Sequence, residues 1–130
     1  MIKLDAKPVE TGIPFLQGSE IVRIEYALGN LQAFVRDISL QLELVIIFSD
    51  VIGFRVLDER DLMEFWPECS IPKDLLFEIY SGGWLSQEAS RPGSCIDPMN
   101  PAAKEYFVKG VDDCLSVICH SAPEIRNNAP

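Results

Sequence analysis

The sequence predicts a mainly β, single-domain protein: an antiparallel sheet, sandwich or partly closed barrel with one short helix near 58–66. Three observations carry that prediction. Apolar residues recur at every second position in several runs, the pattern of a half-buried strand. Gly, Pro, Asn and Asp break the runs at short intervals. No helical stretch is long enough to serve as the crossover that parallel strands require. The 130 residues match one domain. A chain of this length buries enough surface for a core without staples.

The elements follow in chain order. Residues 1–19 hold Pro8, Gly12, Pro14 and Gly18 and predict an irregular lead-in, packed through Ile13, Phe15 and Leu16. In 21–28, Val22, Ile24, Tyr26 and Leu28 alternate with Arg23, Glu25 and Ala27. Gly29-Asn30 predicts a turn and 31–36 a returning strand. In 40–48, Leu40, Leu42, Leu44, Ile46 and Phe48 share one face, and 51–57 is a further strand after Ser49-Asp50. The period then changes. Asp58 suits an N-cap, and Leu62, Phe65 and Trp66 stand at i, i+3 and i+4, which predicts about two turns of helix ended by Pro67. Residues 75–80 read as a strand, and Ser81-Gly82-Gly83 as a hairpin turn into a partner segment beginning at Trp84. A long Pro-rich loop over 90–101 precedes a final hairpin, 105–109 and 113–119, turning at 110–112. The tail from 121 to 130 is polar and predicted to fray.

Composition narrows the function. Twenty acidic against eleven basic side chains give a net charge of −9. That disfavours nucleic acid and anionic membranes, whose phosphates require clustered Lys and Arg. It is compatible with a basic protein partner, and equally with charge that only maintains solubility. The first sixteen residues lack the apolar stretch of a signal peptide, and the run Leu44–Phe48 is too short to span a bilayer; a cytoplasmic location is the expectation. Cys69, Cys95, Cys114 and Cys119 form no CxxC pair and read as free thiols. His120 is the one histidine. No P-loop, dinucleotide or nucleophile-elbow pattern is present, and no catalytic residue, cofactor or metal is predicted.

The acidic cluster is the unusual feature. Between Asp58 and Glu78 there are seven acids and two bases, a local charge of −5. Helix capping and solvation explain much of it. The competing reading is a partner-binding surface of Asp58, Glu59, Asp61 and Glu64, with Trp84 as an aromatic anchor: carboxylates steer a basic protein in, and the indole holds it. Asp58, Asp61 and Glu64 as a metal face or an acid–base pair is a weaker alternative, since their spacing is not that of a calcium loop.

Over Phe48–Trp66, over Ser81-Gly82-Gly83-Trp84-Leu85, and over Glu105–Val108 with Asp112–Val117, the chain resembles a group of short uncharacterised bacterial proteins, which carry Gly where Arg60 stands here. The resemblance implies no site residues. In size and charge such proteins are similar to the immunity proteins encoded beside bacterial toxins, which implies a non-enzymatic protein that masks a basic toxin. A small-ligand-binding domain, an oligomeric structural domain joined through a sheet edge or face, and a carboxylate-dependent metalloenzyme are the alternatives.

Overall fold

The computed structural model describes residues 3–12, 18–38, 42–94 and 102–127. Two antiparallel sheets pack face to face. The first has the order β1-β6-β7-β8-β5 and the second β2-β3-β4-β9. The strands are β1 (Asp5–Pro8), β2 (Ser19–Ala27), β3 (Asn30–Asp37), β4 (Glu43–Phe48), β5 (Val51–Asp58), β6 (Leu76–Ser81), β7 (Lys104–Val108), β8 (Asp113–Cys119) and β9 (Glu124–Asn127). Two short helices, α1 (Trp66–Cys69) and α2 (Trp84–Ala89), complete it. The mainly β expectation is met as a sandwich, and the sheets do not close into a barrel.

Period-two alternation explains the core between the sheets. Leu31, Ala33 and Val35 of β3 and Leu44, Ile46 and Phe48 of β4 meet Tyr106, Val108, Leu115 and Val117 of the facing sheet. Residues 39–41, the start of the predicted 40–48 strand, lie outside the described residues, as do Ile13, Phe15 and Leu16. The other face of the five-stranded sheet is also buried. Phe77, Ile79, Phe107 and Cys114 lie there under Leu4, Leu62, Phe65 and Cys69. That third layer explains why β7 and β8 are buried almost throughout rather than at alternate positions. Cys114 belongs to the outer cluster and Cys119 to the inner core, the opposite faces that their odd spacing requires.

Five expectations are corrected. The lead-in is not wholly irregular: β1 pairs with β6. Its terminal Pro8 is tolerated because β1 is an edge strand. The tail does not fray from 121, because Leu44 to Ile47 of β4 pair with β9. The predicted helix at 58–66 is a 3-10 turn over Glu59–Asp61, followed by α1. Pro67 opens α1 rather than ending a helix, since a first-turn residue needs no N–H donor. Gly82-Gly83 does not turn a hairpin: it leads into α2.

The β2–β3 hairpin turns at Leu28-Gly29, one residue before the expected position, with φ of 50° and 80°. Two positive φ values define a type I′ turn, which favours Asn-Gly over Leu-Gly. Leu28 is fully exposed, so no burial offsets the strain. Leu28→Asn is expected to raise the unfolding free energy by about 1 kcal/mol, read as a higher urea midpoint at unchanged slope.

Candidate functional site

The residues between β5 and β6 lie across the outer face of the five-stranded sheet, and they carry most of the acidic cluster. Asp58 ends β5 in an extended conformation and accepts a hydrogen bond from the Arg60 backbone N–H at 2.9 Å. Its carboxylate also accepts from Arg60 Nε at 3.1 Å and Nη2 at 3.3 Å. These bonds hold the Asp58 carboxyl below its ordinary range and push the Arg60 guanidinium up. The pair is a capping device, and it neutralises one acid of the cluster. The Glu59 N–H donates to Asp112 O at 2.9 Å, which ties the turn to the β7–β8 hairpin. Leu62 and Phe65 then turn inward, while Asp61, Met63 and Glu64 remain exposed.

Beside this turn lies a surface pocket of about 460 Å³. Met63, Trp66, Pro72 and Val111 supply apolar lining, with Glu59, Arg60 and Lys109 as its charged members. The Trp66 indole is held by a 3.0 Å bond from Nε1 to Glu59 O, and its ring meets Phe107 edge-on. Lys109 is nearly buried. Its Nζ donates to Ile71 O at 2.6 Å and lies 5.8 Å from the centre of the Phe77 ring. Burial pushes its ammonium pKa down, opposed by Asp74. The Lys109 carbonyl accepts from Ser19 Oγ, so one end of β2 joins the pocket wall.

A second charged group lies under α2. Glu105 is 1 % exposed. Its two carboxylate oxygens accept the Trp84 N–H at 3.0 Å and the Leu85 N–H at 2.8 Å. First-turn amides of a helix lack internal acceptors, so a carboxylate from β7 caps α2. A side chain at Gly83 would place its Cβ 2.8 Å from both oxygens; the glycine permits that approach. Glu105 therefore already occupies the amides that open α2. Arg55 projects beside it. Its Cζ lies 5.2 Å from the centre of the Trp84 ring, and its buried Nε and Nη2 have no hydrogen-bond partner. Burial pushes the Arg55 guanidinium down, opposed by Glu105, Glu64 and Glu88. Burial pushes Glu105 up, against the two amides and Arg55.

The five residues expected to bind a partner do not form one patch of like role. Asp58 pairs with Arg60, and Glu59 lines the pocket. Asp61 is exposed, and Glu64 accepts from Gln87 Nε2 at 3.3 Å. Trp84 is half-buried against β5, where a methyl group at Gly53 would touch its ring. Among the described residues no three His, Cys, Asp or Glu side chains could hold a metal ion. Cys69, Cys114 and Cys119 are buried free thiols pushed up to about 12, 11 and 11, far from the thiolate chemistry of a reactive cysteine. Cys95 lies outside the described residues, and no described helix is long and apolar enough to cross a membrane. Sequence reasoning missed Arg55, Glu105 and Lys109. Each was marked by a charge within or next to an apolar strand run. Comparison with family models, curated proteins and solved structures finds no match to this chain.

Proposed function

We propose that this protein is a non-enzymatic binding domain that engages a basic protein partner through the surface around Glu59, Asp61 and Glu64. One observation carries the reading: Glu59 lines a pocket shared with Trp66, and Asp61 and Glu64 are exposed on the same segment. Acids at a rim accelerate encounter, and an apolar pocket receives an anchoring side chain. Occlusion of a basic toxin, the mode of an immunity protein, is the specific form proposed. Trp84 contributes by holding α2 on β5 rather than as an exposed anchor.

The test is capture of a partner at low salt, followed by measured binding of the purified pair. Reversing Glu59, Asp61 and Glu64 to Lys is expected to slow association by on the order of tenfold or more and to remove most of its salt dependence. A captured protein with no basic surface, or one indifferent to the reversals, overturns the reading.

The pocket also favours a small-ligand reading, because its volume lies within the roughly 300–1,000 Å³ typical of such sites. Met63→Trp, which would fill the pocket, separates the two: it abolishes small-ligand binding but leaves the salt dependence of protein association in place.

A further inference from the structure

Strand β2 is an outer strand of the four-stranded sheet, paired on one side only. At nine residues it is long for an edge. Long edges present unpaired N–H and C=O groups that template another strand, and proteins usually blunt them with Pro, inward charges or short length. β2 contains no proline, and its irregularity is confined to the bulge between Ile21 and Arg23. Beyond the bulge the edge is regular. The type I′ closing pair Ala27–Asn30 exchanges hydrogen bonds, so by alternation Ile24 and Tyr26 direct their N–H and C=O groups away from β3.

The chemistry of this edge is self-complementary. The order Val22-Arg23-Ile24-Glu25-Tyr26 is apolar, cationic, apolar, anionic, apolar. An antiparallel strand of identical sequence centred on Ile24 places Arg23 opposite Glu25 of the second copy, within the regular stretch beyond the bulge at Val22, and two-fold symmetry repeats the pair. Both side chains are solvent-exposed, and the Arg23 guanidinium also lies 4.0 Å from the centre of the Phe34 ring. Arg23 and Glu25 are 59 % and 55 % exposed as a 3.4 Å pair within the strand, and Val22 and Tyr26 are 43 % and 50 % exposed. The Tyr26 ring packs at a tilt against Phe54 of β5, 5.1 Å between centres, on the edge strand of the other sheet, where Val56 is also 42 % exposed. An apolar seam therefore runs along this side of the sandwich, beside the self-complementary strand.

We propose that a second copy of this chain pairs with β2 about Ile24, joining two four-stranded sheets into one continuous eight-stranded sheet. The interface is distinct from the acidic surface at Glu59, Asp61 and Glu64, so the two can be occupied together.

Sedimentation equilibrium over a wide concentration range tests this. The wild type is expected to approach twice the chain mass of 14.6 kDa as concentration rises. Arg23→Glu places two like-charge contacts across the interface, and so does Glu25→Arg. Each is expected to weaken the dimer by on the order of tenfold or more. The double variant Arg23→Glu/Glu25→Arg recreates both ion pairs in reverse and is expected to recover wild-type association. Far-ultraviolet circular dichroism establishes that each variant is folded. A wild type that stays monomeric throughout overturns the proposal. So does a dimer insensitive to the single reversals, or one that the double variant does not restore.

Discussion

Glu105→Ala is expected to destabilise the protein by about 3 kcal/mol, measured by urea unfolding at neutral pH. The change removes the acceptor of two α2 amides at 2.8 and 3.0 Å. It also removes the carboxylate that most strongly offsets the burial of Arg55. The Arg55 Nε and Nη2 atoms already lack hydrogen-bond partners, so the remaining guanidinium stays buried with its nearest compensation gone. Glu105→Gln retains the shape and one acceptor oxygen, and it costs less.

The same residue gives a pH signature. Burial raises the Glu105 pKa in the folded state above its ordinary value of 4.5. The folded chain therefore holds this proton to higher pH than the unfolded chain. The stabilisation linked to that proton is fully present below the ordinary value and is lost as pH rises through the folded value. Relative to Glu105→Gln, the wild type is expected to lose stability with rising pH over this window and to level off above it. A difference between the two proteins that is flat across the window would show that Glu105 ionises like an exposed carboxyl.

The inner core was legible because its signal is local. Alternation along 31–35 and 44–48 reports a strand with one face toward the other sheet, and Leu31, Ala33, Val35, Leu44, Ile46 and Phe48 are all buried. Asp58 was legible as a cap for the same reason, since its partner is two residues away. What escaped depends on contacts distant in sequence. Gly82-Gly83 carries the composition of a hairpin turn, and only Glu105, over twenty residues later, makes the next segment a helix. β1 and β9 are four-residue strands, too short to show a period, and the neighbours they pair with define them. The apolar run at 106–108 and the run at 114–119, interrupted only by Ser116, did contain the missing layer: a sheet buried on both faces loses its alternation. The acidic segment belongs to that layer, so its geometry depended on residues that composition alone could not connect.

Phe107→Ala is expected to have the largest effect of any single change, a loss of about 4 kcal/mol. Phe107 is fully buried on the outer face of β7. Its ring stacks on Phe65 at 4.4 Å and 14°, meets Trp66 edge-on at 6.0 Å and lies 6.4 Å from Phe77. Three aromatic contacts converge on one ring, and two come from the segment that carries the acidic surface. Such pairs add roughly 0.5–1.5 kcal/mol each beyond their buried area. Truncation leaves a cavity beneath Phe65 and Trp66, and backbone tethers such as Glu59 N–H to Asp112 O limit how far the segment can settle into it. The loss is therefore expected to be local as well as global. Hydrogen exchange in 59–75 should accelerate more than in β3 and β4. Leu31→Ala in the inner core is the control, expected to lower global stability without that selectivity. Equal acceleration in both regions would mean that the outer layer and the sandwich unfold as one unit. Selective acceleration would instead identify 59–75 as a layer docked on a sheet that stands without it, and Phe107 as the residue that seats the proposed binding surface.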